Sequence, residues 1–212
     1  MNPSSRQSAL AGAHLYAITP DEEPERLLEL SRAVLGGGAD VLQLRHKTLP
    51  RGRLLELAIR LREITAEAGR LFIVNDHVDI ALLVDADGVQ LGDDDLSLPE
   101  ARRLAGAGFL IGASANQVES ARQAVKEGAD YVGCGPAFAT PIKAVKPVVG
   151  PGRAAELQSA LGVPVFAIGG VQPENLDQVV ASGVRRACMI RGLFGAADPE
   201  AAARRSRAIL TE

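Results

Sequence analysis

The chain has 212 residues, 47% hydrophobic and 23% charged, with 23 Lys and Arg set against 26 Asp and Glu for a formal net charge of -3. That is enough chain for one domain with a substantial core, and its dispersed basic residues give no field for nucleic acid. No run of about 18 apolar residues is present to span a membrane, and the opening MNPSSRQSAL lacks the basic and apolar regions of an export signal, so a cytoplasmic protein is expected.

Residues 1–12 read as a flexible N-terminal segment ahead of a single domain. Eight short apolar strand candidates then follow: HLYAIT (14–19), GADVLQLR (38–45), LFIVN (71–75), DADGVQLG (85–92), FLIGAS (109–114), GADYVGCG (128–135), PVFAIG (164–169) and SGVRRACMIRG (182–192). The second, fourth, sixth and eighth form a weak internal repeat in which a small-residue turn precedes the strand. Between the candidates lie segments with apolar residues at three- and four-residue spacing, such as PERLLELSRAVLGG, GRLLELAIRLREITAEAG, LPEARRLAGAG, QVESARQAVKEG and PENLDQVVASG. Several end in Gly, the residue that best takes the left-handed position closing a helix. Alternating apolar strands and helices imply a parallel sheet covered by helices, and eight units make an α/β (βα)8 TIM barrel the expected fold, with an open doubly wound sheet as the alternative. Cys134 and Cys188 sit in apolar segments without CxxC spacing and read as buried reduced thiols, and His14, His46 and His77 have no metal-ligand spacing.

In such a barrel, function sits just beyond the C-terminal ends of the strands. Those ends read QLRHK, VND, GDDD, GASAN, GPAFATPIK, IGG and MIRG after strands two to eight. Arg45, Lys47 and Lys143 are therefore candidate phosphate ligands. Asp76 and one of Asp93–Asp95 are candidate Mg²⁺ ligands, since that ion takes one or two carboxylates together with substrate phosphates and water. Strands three and four would lie about 4.8 Å apart, close enough for the two loops to share an ion. The alternative use of these residues is structural: Asp76 capping the next helix, the acidic run a solvated turn, and Ser97 the N-cap of the helix beginning near Leu98. Ile168-Gly169-Gly170 and the RG after strand eight could offer backbone N–H groups to a phosphate, although a Gly pair after a strand is often only a turn.

These residues resemble the thiamine-phosphate synthase family, within a superfamily that also holds thiazole tautomerases. The resemblance runs from about Leu15 to Pro199 and is carried by LYAIT, LQLRHK, VNDHVDIALLVDADGVQLGDDDL, IGASAN, GADYVGCGPAFATPIK and VPVFAIGGVQPENL. It implies a transferase that joins hydroxymethylpyrimidine diphosphate to thiazole phosphate, releasing diphosphate. It further implies Mg²⁺ held by Asp76 and Asp95, with Arg45, Lys47, Asn75 and Lys143 on the diphosphate and Arg45 and Lys143 acting in catalysis. Gln43 and Ser114 match positions on the pyrimidine, Gly170 and Ile190 the thiazole-phosphate cup, and Thr140 a loop near the thiazole. Ile142, Ala139, Asp93 and His46 depart from the family pattern, and so does Arg191, a large cation at a usual serine position in the cup that is counted among the substrate-binding candidates. The competing readings are a thiazole tautomerase, a class I aldolase and a non-catalytic paralogue that binds a phosphorylated ligand; YVGCG lacks the strand-six lysine of the aldolase. Small-molecule substrates are the expected partners, neither nucleic acid nor membrane, and the oligomeric state stays open, a homo-oligomer included.

Overall fold

The computed structural model describes residues 2–140 and 147–212, and in it eight parallel strands close into a barrel in sequential order. They are β1 (Leu15–Ile18), β2 (Val41–Leu44), β3 (Leu71–Asn75), β4 (Gly88–Leu91), β5 (Leu110–Ser114), β6 (Tyr131–Cys134), β7 (Val165–Ala167) and β8 (Ala187–Met189). Every strand candidate became a strand, and β1 pairs with both β2 and β8, so the open-sheet alternative is ruled out. The helices among the described residues are α1 (Pro3–Ala11), α2 (Pro24–Gly36), α3 (Arg51–Glu67), α4 (Val78–Leu83), α5 (Leu98–Ala105), α6 (Val118–Lys126), α7 (Pro151–Ala160), α8 (Leu176–Ala181), α9 (Arg191–Phe194) and α10 (Pro199–Thr211). Gly69 and Gly128, just past α3 and α6, have positive φ, as their helix-closing positions predict.

The strands are buried on both faces because they separate two apolar layers. Leu27, Leu42, Leu61, Phe72 and Leu157 pack between barrel and helices, while Tyr16, Val41, Ile73, Leu110, Tyr131 and Phe166 fill the interior. The rings of Tyr16, Tyr131 and Phe166 meet edge-on or tilted, with centroids 5.4 to 5.9 Å apart. Gly112 makes room for this cluster, since a Cβ there would lie 2.2 Å from Tyr131 Cζ. Cys134 and Cys188 are buried free thiols, as expected.

The internal repeat has a physical cause at the opposite end of the barrel from the strand-end loops. Asp40, Asp87 and Asp130, each just before an even-numbered strand, accept from a backbone N–H in the first two residues of the preceding odd strand: Leu15 at 3.0 Å, Phe72 at 3.0 Å and Ile111 at 2.8 Å. Those N–H groups would otherwise be buried without acceptors. In the last unit Gln158 does the same for Val165 at 3.1 Å, which leaves the position before β8 free to be Arg186. Guanidinium groups neutralise the carboxylates: Arg70 and Arg207 on Asp40, Arg6 and Arg62 on Asp87, Arg102 on Asp130.

This end of the barrel also corrects the reading of residues 1–12 as flexible. Residues 3–11 form α1, capped by Asn2, whose side chain accepts from Ser5 N at 2.8 Å. Leu10 is 1% exposed and packs among the interior residues, Arg6 Nε donates to Asp87 at 2.9 Å, and Gln7 donates to Asp130 at 2.8 Å. A polar segment is held because its partners, the buried Asp87 and the partly exposed Asp130, lie far along the chain. Among the described residues no helix is long and apolar enough to cross a membrane.

Candidate active site

At the C-terminal end of the barrel the loops enclose a cavity of about 530 Å³. Gln43, Arg45, Lys47, Asn75, Asp76, Asp95, Ser114, Thr140, Gly170, Ile190 and Arg191 all line it. Lys143 and Ile142 lie outside the described residues. The closed parallel sheet is what gathers residues so distant in sequence, because every strand delivers its C-terminal end to the same rim.

Asp76 and Asp95 face one another on the loops after β3 and β4. Asp76 is fixed by its backbone: it adopts a φ of 65°, a left-handed conformation that Asp tolerates better than most residues, and its N–H donates to Gln90 O at 2.8 Å. Its carboxylate forms an ion pair with Lys47 Nζ rather than capping α4, whose N-cap residue is His77. Asp95 Oδ2 accepts from Gly92 N at 2.7 Å, which turns the carboxylate back towards the strand end. Burial, together with the charge of Asp76 opposite, raises the Asp95 pKa above the ordinary aspartate value. Asp95 thus has its carboxylate bound to the strand end, while Ser97 holds the N-cap position of α5 but donates its hydroxyl to the Glu100 carboxylate instead of capping through it.

The basic side of the site is organised by Asp21, in the loop between β1 and α2. Its Oδ2 accepts from Arg45 Nη1 at 3.2 Å and its Oδ1 from the backbone N–H of Lys47. Although burial acts against its charge, these donors hold the Asp21 pKa below the usual value. Thr19 adds a second tie, its hydroxyl donating to Arg45 O at 2.8 Å and accepting from Arg45 N at 2.9 Å. His46 between them turns away from the cavity, with Nε2 bonded to Glu22 O at 2.9 Å and Nδ1 accepting from Leu49 N at 3.2 Å. Its departure from the family pattern therefore serves to join two loops.

The floor of the cavity is polar and interlocked. Gln43, 3% exposed, donates from Nε2 to Tyr16 Oη at 2.8 Å, and that hydroxyl pairs with Tyr131 Oη at 2.9 Å. Gln43 Oε1 remains for a ligand donor. Gln90 on β4 donates to Ser114 Oγ at 3.3 Å, joining the two strand ends. Burial pushes both tyrosine pKa values up, so both remain neutral hydrogen-bonding groups.

Across the cavity, Gly169 and Gly170 turn back with φ of 91° and 67°. A Cβ on Gly170 would lie 2.7 Å from both Phe138 O and Ala139 O, so the chain can pass there only as glycine. Asn175 holds the turn, donating to Gly170 O and accepting from Gln172 N at 2.9 Å each. The first turn of α9 follows β8 beside it, with the backbone N–H groups of Arg191 and Gly192 lacking intrahelical acceptors. Arg191 is exposed and has no carboxylate partner among the described residues.

Sequence reasoning missed Asp21, Gln90, Asn116, Tyr131 and Gln172. Asp21 sits in the polar run TPDEEPER, where nothing separates it from its neighbours. Gln90 and Tyr131 lie within strands, and the period-two alternation that turns their side chains inward was the available signal. Among the described residues no group of three His, Cys, Asp or Glu side chains clusters as a metal site, so a metal here would rest on the Asp76 and Asp95 pair and on the ligand's own oxygens.

Comparison with known proteins shows the family to which this chain is similar. A family model described as thiamine monophosphate synthase matches residues 15–193. The thiamine-phosphate synthase of Moorella thermoacetica is 46% identical over 186 residues, covering 87% of this chain and 88% of that protein. The thiamine-phosphate synthase of Gloeobacter violaceus is 44% identical over 193 residues, and there the match covers 91% of this chain but only 56% of the longer relative. Among solved structures, thiamine phosphate pyrophosphorylase from Pyrococcus furiosus superposes with a TM-score of 0.85 at 36% identity, covering 97% of both chains.

Proposed function

The chain belongs to the thiamine monophosphate synthase family, and we propose that it joins hydroxymethylpyrimidine diphosphate to thiazole phosphate, forming thiamine phosphate and releasing diphosphate. The observation that carries this reading is one cavity with a carboxylate pair and two cations on one rim and a glycine cup with Arg191 on the other. That is a place for a diphosphate facing a place for a monophosphate.

Asp76 and Asp95 would hold Mg²⁺: two carboxylates from adjacent loops, close enough for one to raise the other's proton affinity, are a donor set that a divalent cation stabilises. When bound, the ion supplies positive charge to the departing diphosphate. Arg45 and Lys47 bind the diphosphate oxygens with Asn75, and Lys143 is the further candidate for the charge developing on the leaving oxygen. The bond between the pyrimidine methylene and the diphosphate oxygen breaks with its electron pair leaving on oxygen. The thiazole nitrogen supplies the pair for the new C–N bond. No protein nucleophile is required, so positioning and charge stabilisation are the chain's contribution. Gln43 and Ser114 hold the pyrimidine against the floor, and Thr140 lies on the thiazole side. Gly170, the backbone at Ile190 and Arg191 bind the thiazole phosphate.

The isomerase alternative, on the resemblance, would carry a histidine in the loop after β6, where this chain has Pro136, and none of His14, His46 and His77 lines the cavity. The test is direct. Purified chain, both substrates and Mg²⁺ should give thiamine phosphate, with synthesis lost on adding EDTA and in Asp95→Asn; binding without product would overturn the proposal in favour of a non-catalytic paralogue.

Arg191 gives a narrower prediction. Arg191→Ser should raise KM for thiazole phosphate about tenfold, the value of one charge-assisted hydrogen bond at a partly solvated site, and leave kcat within about twofold. Steady-state kinetics with the diphosphate substrate saturating would read this, and an unchanged KM would remove Arg191 from the cup.

A further inference from the structure

We propose that Lys47 is a place-holding cation: it occupies Asp76 in the ligand-free chain and yields it to the metal only when diphosphate arrives, which makes metal and diphosphate binding cooperative. This rests on the reading of Asp76 and Asp95 as the metal's carboxylates.

The geometry separates a fixed anion from a movable cation. Asp76 is held by its left-handed backbone and its N–H bond to Gln90 O, with its side chain 18% exposed. The Lys47 backbone is equally fixed, through its N–H to Asp21, but its side chain is 51% exposed and ends on Asp76 in the ion pair. An ammonium on a flexible, half-solvated stem can leave a carboxylate at small cost. Arg45 differs in this respect. Its guanidinium is paired with Asp21, which is not a candidate metal ligand, so it can meet a phosphate without disturbing the metal's carboxylates.

In the ligand-free chain, a divalent cation approaching Asp76 must displace Lys47 and then sit beside an ammonium left without a partner. With diphosphate present, the displaced ammonium gains phosphate oxygens as acceptors and the metal gains ligands from the same anion. Each ligand therefore removes a cost from the other's binding, and linkage requires the effect to be reciprocal.

The test uses the full-length chain and Mn²⁺ as a spectroscopic stand-in for Mg²⁺. Protein-bound Mn²⁺ is titrated by electron paramagnetic resonance for wild type, Lys47→Met and Lys47→Gln, first with the metal alone and then with preformed Mn²⁺–diphosphate. With metal alone both variants should bind about tenfold tighter than wild type, within the usual range of coupling between two ligands. With Mn²⁺–diphosphate the order should reverse, wild type binding tighter because Lys47 now contacts the anion. Variants that bind the lone metal no better than wild type would overturn the proposal. If no form of the chain binds Mn²⁺ in either state, it is the assignment of Asp76 and Asp95 as a metal site that falls, a result distinguishable from the first. Asp76→Asn, weakening Mn²⁺ in both states, locates the signal.

Discussion

Asp76→Asn should lower kcat/KM for the diphosphate substrate by about a thousandfold, with little change in thermal stability. The side chain keeps its size, and Asn is among the few residues that accept the left-handed backbone seen at φ 65°. What is lost is the negative charge that balances Lys47 and, in the proposed mechanism, one of two charged ligands of the cation. A bound divalent ion is worth several kcal/mol to a leaving group that develops charge, and about 4 kcal/mol corresponds to three powers of ten in rate. Replacement by Ala would mix this loss with backbone strain, which is why Asn is the cleaner variant. Kinetics at saturating Mg²⁺ beside a thermal melt would check both halves. A variant retaining more than about a tenth of the wild-type kcat/KM would remove Asp76 from the proposed chemistry.

The companion carboxylate adds a pH dependence. Burial and the Asp76 charge raise the Asp95 pKa, so its proton is held to a higher pH than in an ordinary aspartate. A cation needs the ionised form, so metal affinity should weaken on acidification from above the usual aspartate range. Asp95→Asn, which mimics the protonated carboxyl in shape, should remove this pH dependence together with the metal.

Features that depend on local pattern were legible in the sequence. The barrel follows from apolar runs alternating with helical spacing, and lining up its strand ends nominates Arg45, Lys47, Asp76 and the Ile168-Gly169-Gly170 turn, all on one cavity; Asn75, Ser114 and Arg191, on the same cavity, came from the resemblance. The narrowing of GDDD to Asp95 came from resemblance rather than pattern, and the Gly92 N–H now gives that residue a geometric reason. Features made by partners far away in sequence were not legible. Nothing in MNPSSRQSAL predicts a helix held by Asp87 and Asp130, because 81 and 123 residues separate the bonded pairs. Asp21 was hidden for the same reason, as one acid in an acidic run, distinguished only by the loop after β2 that brings Arg45 and Lys47 to it. His46 looked like an anomaly of the phosphate site, yet its two ring nitrogens bond loop backbone outside the cavity.

The same distance in sequence underlies the largest expected loss of stability, at Asp87. Its carboxylate is fully buried: Oδ1 accepts from Arg6 Nε at 2.9 Å, and Oδ2 accepts from Phe72 N at 3.0 Å and from Arg62 Nη1 at 3.3 Å. Asp87→Ala would leave the Phe72 N–H near the start of β3 without its acceptor, strip a buried anion from two guanidinium groups, and remove one of the ties on α1. Breaking a buried ion pair from one side costs about 3–5 kcal/mol, which in a domain of this size lowers Tm by roughly 10 °C. Asp87→Asn, which can still accept from Phe72 N, should lose less. Asp85, two residues earlier in the same DAD turn and with its side chain 84% exposed, provides the control: it also meets Arg6, but Asp85→Asn, which keeps the left-handed backbone at φ 49°, should stay within about 0.5 kcal/mol. Because this end of the barrel lies opposite the cavity, kcat at low temperature should be unchanged in all three variants. Urea and thermal unfolding of the set would test the account. Equal, small shifts for Asp87→Ala and Asp85→Asn would mean that the repeated aspartates do not hold the strand starts as their hydrogen bonds indicate.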